Sequence, residues 1–142
     1  MTGTPVPPFI EEVLSGHPTP IRGRLLAIRE LIFFAAAGIP EVGLLIETLK
    51  WGEPAYLVAE SRRGTTIRLG RVGSAPSDAA VLFNCKTTLI QTFRAQFPDG
   101  FNFDGNRGLM VPCGRPFPRN ELLYCLSTAW TYHRKKVPVR TS

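Results

Sequence analysis

Glycine and proline divide the middle of this chain into short pieces. Lys50-Trp51-Gly52-Glu53-Pro54-Ala55-Tyr56 is followed by Gly64-Thr65-Thr66-Ile67-Arg68-Leu69-Gly70. Residues 47–51 lead into a corner at Gly52-Glu53-Pro54. Residues 55–59 and 65–72 each alternate or are rich in β-forming side chains. Ser61-Arg62-Arg63-Gly64 reads as the turn between them. Residues 73–78, with Gly, Pro and two Ser, read as a loop. Residues 80–84 are apolar on both sides, the pattern of a central strand.

Helical patterns flank this strand-rich middle. Residues 7–14 read as a short helix stopped by Gly16, with prolines suited to a first turn. A second helix is expected from Thr19 as N-cap and Pro20 as first helical residue. Ile21, Leu25, Ile28, Ile32 and Ala35 follow at helical spacing. Gly38 is expected to take a left-handed C-terminal conformation, and Pro40 blocks continuation. Residues 87–97 form a third helix with Leu89, Ile90, Phe93 and Phe97 on one face. Residues 101–104 and 108–111 form a hairpin turned by Gly105-Asn106-Arg107. A last helix is expected over residues 119–135, lined by Leu122, Leu126, Ala129, Trp130 and His133. This order defines an α+β class: a largely antiparallel sheet with helices packed on one face and the other face open.

A chain of 142 residues is one domain by expectation and buries enough surface to fold without a staple. No apolar run approaches the roughly 18 residues of a membrane span. The N-terminal residues show no basic region or hydrophobic signal core, so the expected location is cytoplasmic, without a membrane partner. Cys85, Cys113 and Cys125 are odd in number and unpaired in spacing. They fit reduced thiols and give no zinc pattern. The net charge of +6 lies entirely in residues 107–142, where Arg107, Arg115, Arg119, Arg134, Lys135, Lys136 and Arg140 face Glu121 alone. Such an excess suits either a solvated helix end or a weak polyanion contact.

Four segments offer chemistry. Around Trp51, a strand corner would have Trp51 and Tyr56 capping the core. An aromatic pocket would use them as walls, with Lys50 and Glu53 as polar handles. If Ile67 and Leu69 face the helices, Arg68 and Thr66 lie on the open face, where an arginine is either solvated or binds an anion. Asn106 and Arg107 serve a hairpin turn or a ligand at its tip. Cys85 and His133 have no third orienting group, so a buried thiol and a helix-face imidazole are expected rather than a catalytic dyad. No phosphate-binding glycine loop, helix-turn-helix or RNA-binding signature is present.

Several blocks together resemble the YdhG-like family, a large bacterial group with no assigned activity. They are Trp51-Gly52-Glu53-Pro54-Ala55-Tyr56, Ile67-Arg68-Leu69-Gly70, Phe83-Asn84-Cys85, Phe103-Asp104-Gly105-Asn106-Arg107 and Thr131-Tyr132-His133-Arg134-Lys135-Lys136. The resemblance spans residues 20–137 and implies a frataxin-like α/β sandwich with no catalytic residues to carry over. One branch of the wider family serves intracellular iron delivery, which makes iron an alternative ligand. In this chain the first helix offers only Glu11 and Glu12, and the second is basic (Arg22, Arg24, Arg29). The resulting expectation is a non-enzymatic binding domain for a small anionic ligand or a protein partner. Its candidate site is Lys50, Trp51, Glu53, Tyr56, Thr66, Arg68, Asn106 and Arg107, with a homodimer through the sheet face as one form of partnership. Nucleic-acid binding through the C-terminal basic patch is the weaker alternative.

Overall fold

Prolines stand at the starts of three of the four described helices. In a computed structural model that describes residues 4–59, 65–72, 78–84 and 87–131, α1 (Pro8–Leu14) follows Pro7 and α2 (Thr19–Ala37) follows Pro18. The last described helix, α4 (Arg119–Trp130), follows Pro118, and α3 (Leu89–Gln96) follows Thr88. None of the four has a side-chain cap at its start. Thr19, expected as a cap, is already helical. Proline's fixed φ prepares a first turn whose amides lack intrahelical partners in any case. Gly38 is right-handed, with φ −84°, rather than left-handed. The reversal falls later, after a 3-10 turn at Pro40–Val42, where Gly43 takes φ +66°.

Six strands follow: β1 (Leu45–Lys50), β2 (Glu53–Val58), β3 (Ile67–Gly70), β4 (Asp78–Leu82), β5 (Asn102–Asp104) and β6 (Gly108–Pro112). They form one sheet in the order β1-β2-β3-β4-β6-β5, with every neighbouring pair antiparallel. The class is therefore α+β. Pro54, expected in the corner, stands at the start of β2 before pairing with β3 begins at Ala55, a position a strand tolerates. The turn at residues 61–64, most of the 73–78 loop, Cys85 and everything beyond Thr131 lie outside the described residues. That includes His133 and four of the basic C-terminal side chains.

Alternation assigns the two faces. Tyr56, Val58, Ile67, Leu69, Ala79, Val81, Leu109 and Val111 join one core with Ile10, Leu25, Ile28, Ile32, Phe93, Leu122, Leu126 and Trp130 from the four helices. Their strand neighbours Ala55, Arg68, Ala80, Leu82 and Met110 therefore point to the opposite face. The helices cover one face, and the other carries the features considered below.

A charged group sits inside this core. Arg29 of α2 is 1% exposed. It falls on the buried stripe between Leu25 and Ile32, at the spacing of a core position. Its guanidinium makes a two-point contact with Glu47 of β1, at 2.6 and 3.0 Å, and donates to the carbonyls of Thr4 and Pro5 at 2.9 and 2.7 Å. The Tyr56 hydroxyl donates to the same Glu47 carboxylate at 2.7 Å. Phe33 lies beneath the guanidinium and edge-on to Tyr56. Glu30 accepts from the Thr4 amide at 2.9 Å, which fixes the N-terminal segment to the same place. Burial opposes the Arg29 charge, but the Glu47 hydrogen bond and charge outweigh it and raise the pKa. Burial, then Glu47, holds the Tyr56 phenol well above its ordinary value.

Removing one partner from a buried pair strands the other in a dry interior. Arg29→Ala should lower the unfolding free energy by about 3–5 kcal/mol in urea melts. The paired replacement Arg29→Met with Glu47→Leu should recover most of that loss. Tyr56→Phe should cost about 1.5–3 kcal/mol, the range for a hydrogen bond to a charged acceptor.

Candidate functional site

The β1–β2 hairpin closes through a two-residue loop, Trp51-Gly52, between the paired Lys50 and Glu53. Both loop residues have positive φ, +56° and +76°. This is the primed-turn geometry that matches the twist of a hairpin. Gly52 adopts it freely. Trp51 is the one non-glycine residue with positive φ among the described residues, a conformation worth roughly 1–2 kcal/mol of strain in an L-residue. Its side chain is 88% exposed. Trp51 therefore does not cap the core, in contrast to the strand-corner expectation.

Arg68 lies on the open face because Ile67 and Leu69 are both in the core. Its row neighbours are Ala55 on β2 and Leu82 on β4. Glu53 reaches from the hairpin to form an ion pair with Arg68, and both side chains are about a quarter exposed. Gly70 leaves room beside this pair: a Cβ there would stand 2.9 Å from the Glu53 carboxylate, which would have to shift.

At the far side of the row, the β5–β6 turn brings in Arg107. The Phe83 amide donates to the Arg107 carbonyl at 2.8 Å, which fixes the turn to the end of β4. Arg94 of α3 donates to the Gly105 carbonyl at 3.0 Å and stacks on Phe103, holding the turn from behind. The Arg107 side chain is half-exposed and 3.5 Å from Asp104.

These elements enclose a cavity of about 340 Å³. The hairpin contributes Lys50 and Trp51, β3 contributes Thr66 and Arg68, the end of β4 contributes Phe83 and Asn84, and the turn contributes Arg107. Its size lies at the lower end of the range for small-molecule sites. Three cations reach it. Glu53 partners Arg68, Asp104 stands beside Arg107, and Lys50 has no ion pair among the described residues. The wall is thus rich in hydrogen-bond donors, which suits an anion.

Of the eight residues expected at the site, Lys50, Trp51, Thr66, Arg68 and Arg107 line the cavity. Glu53 stands behind them as the partner of Arg68. Asn106 is exposed in its turn and does not line the cavity. Tyr56 is a correction: it is fully buried on the opposite face, bonded to Glu47. Asn84 and Phe83 were not anticipated as site residues, although they stand in one of the blocks quoted for the resemblance. Arg29, counted among the basic residues of α2, is buried.

Among the described residues no three His, Cys, Asp or Glu side chains gather to hold a metal ion. No described helix is long and apolar enough to cross a membrane. Of the C-terminal basic groups, Arg107 belongs to the cavity. Arg115 donates to the Asp99 carbonyl, and Arg119 stacks on Phe34, so the described ones act at three separate places. Cys125 is buried, and burial, followed by the Glu121 charge, pushes its thiol well above its ordinary pKa, away from nucleophilic use. No family model, curated protein or solved structure matches the chain.

His17 follows α1 and is half-buried, its Nδ1 is dry and unpartnered, and burial followed by the Arg71 charge lowers its pKa from 6.5. The folded protein thus resists a proton that the unfolded chain accepts. The His17 contribution is complete above about pH 6.5 and is lost as pH falls through the lowered folded value. Denaturant midpoints measured from about pH 8 down to pH 5 should fall for the parent and fall less for His17→Asn.

Proposed function

We propose that this protein is a non-enzymatic binding domain of YdhG-like type that holds a small anionic ligand on the open face of its sheet. One observation carries the reading: Lys50, Arg68 and Arg107, far apart in sequence and on three different elements, reach one cavity beside an exposed tryptophan. A solvated surface has no reason to converge cations, because like charges repel. The sequence resemblance supports the same place. Four of its five blocks supply cavity residues or residues that position them: Trp51 and Glu53, Arg68 and Gly70, Phe83 and Asn84, and Asp104 and Arg107. The finer, frataxin-like description of the fold belongs to this proposal and draws support from the antiparallel sheet with helices on one face.

Calorimetric titration with inorganic phosphate and with a tricarboxylate tests the reading. Arg68→Ala and Arg107→Ala should each weaken binding about tenfold or more, the loss expected of a charge-assisted hydrogen bond. Their melting temperatures should stay close to that of the parent. Unchanged affinity in a folded double variant would sink the proposal.

A second reading, a partner protein or second copy, is favoured by the β1 edge. Leu44, Ile46, Leu49 and Trp51 are exposed along it, beside a strand with one neighbour among the described residues. Unpaired strand edges of this kind accept a further strand. Light scattering would detect the dimer. A monomer at all concentrations would remove the self-association form of this reading.

A further inference from the structure

Neither local conformation nor packing accounts for tryptophan at position 51. Primed two-residue turns favour Asn or Asp first and Gly second. The chain keeps Gly52 but places an indole in the left-handed region, the one non-glycine case among the described residues. The indole gains little from burial, being 88% exposed. Backbone strain that the core does not use is a mark of ligand clamps. The same indole lines the cavity that Arg68 and Arg107 share.

Resting on the anion-binding reading above, we infer that the cavity takes a flat aromatic ring carrying a phosphate monoester, as in a nucleoside monophosphate. The ring lies against Trp51, and the phosphate is held by Arg68 and Arg107. Planar guanidinium forks match phosphate oxygens two at a time. Arg68, Arg107 and Lys50 stand against the two carboxylates of Glu53 and Asp104, which leaves the cations in excess, and Thr66 adds a neutral hydrogen-bonding group to the wall. Glu53 and Asp104 orient the two arginines. Stacking on an exposed aromatic face accepts any base. A cavity of about 340 Å³ suits one nucleotide rather than a dinucleotide cofactor.

The test uses the full chain with four probes: adenosine 5′-monophosphate, ribose 5-phosphate, adenosine and a short single-stranded oligonucleotide without terminal phosphates. Calorimetry should give the nucleotide an affinity about tenfold or more above either fragment. It should also bind more tightly than the oligonucleotide, whose phosphodiesters carry one charge each, and it should quench the exposed tryptophan emission. Trp51→Asn is the decisive variant, because asparagine suits the turn. It should raise the melting temperature while reducing nucleotide affinity to the level of ribose 5-phosphate. Trp51→Phe should retain most of the binding.

Equal affinity for the nucleotide and ribose 5-phosphate, unchanged in Trp51→Asn, would overturn the ring contact and leave the anion reading standing. No binding by any phosphate would overturn this inference, and no binding of the tricarboxylate either would overturn the anion reading with it. Tighter binding of the oligonucleotide would overturn the monoester. A lower melting temperature in Trp51→Asn would make Trp51 a structural residue and end the inference.

Discussion

The buried contact between Arg29 and Glu47, closed by the Tyr56 hydroxyl, fixes which way the sheet faces. Glu47 and Tyr56 stand opposite each other on β1 and β2, and Tyr56 stands opposite Ile67 on β3. Because strand side chains alternate, a one-residue slip would turn every side chain to the other face. Locking Glu47 and Tyr56 inward beside Arg29 excludes that slip. It also commits Ala55, Arg68 and Lys50 to the outside. A contact with no direct part in the cavity thus decides that the cavity exists. The same guanidinium binds the Thr4 and Pro5 carbonyls, so the N-terminal segment, α2 and the hairpin share one anchor. Buried ion pairs contribute less to net stability than to specifying one arrangement in systems where register is at stake. This protein has the geometry of such a case.

The open face has the opposite character. There the Glu53–Arg68 pair is about a quarter exposed and the Asp104–Arg107 pair closer to half. Exposed pairs of this kind contribute little to stability, typically under about 1 kcal/mol. The two faces of one sheet therefore divide the work. The dry face uses its charges to fix a register, and the wet face keeps its ion pairs in contact with water. The hairpin tip links them, since the register locked at Glu47 and Tyr56 determines where the strained loop and its indole are carried.

Much of the fold was legible in the sequence. Helical spacing from Ile21 to Ala35, the punctuation at Gly16, Gly38 and Pro40, and the turn at Gly105-Asn106-Arg107 all led to elements that the structure contains. The errors were local and have physical causes. In α2 the helix started at Thr19, after Pro18, where Thr19 was expected as the cap. The left-handed residue moved from Gly38 to Gly43 because a 3-10 turn intervened. At the site, Lys50, Trp51, Thr66, Arg68 and Arg107 were anticipated, but Tyr56, included among the candidate ligand contacts, faces the core. Alternation within β3 could place Arg68 relative to Ile67 and Leu69. It could not relate β3 to β2, because that needs the register between strands.

By itself, the sequence determined the order of helices and strands, the antiparallel class of the sheet and the residue types able to bind an anion. Those properties follow from local periodicity and turn chemistry, which neighbouring residues specify. Tertiary structure alone decided that Arg29 and Tyr56 are buried partners of Glu47, that Asn84 joins the cavity, and that Trp51 stands exposed in a strained turn. Each of these depends on contacts between residues distant in the chain. The relevant free energies, of burying a charge and of choosing a strand register, come into being only when the layers meet.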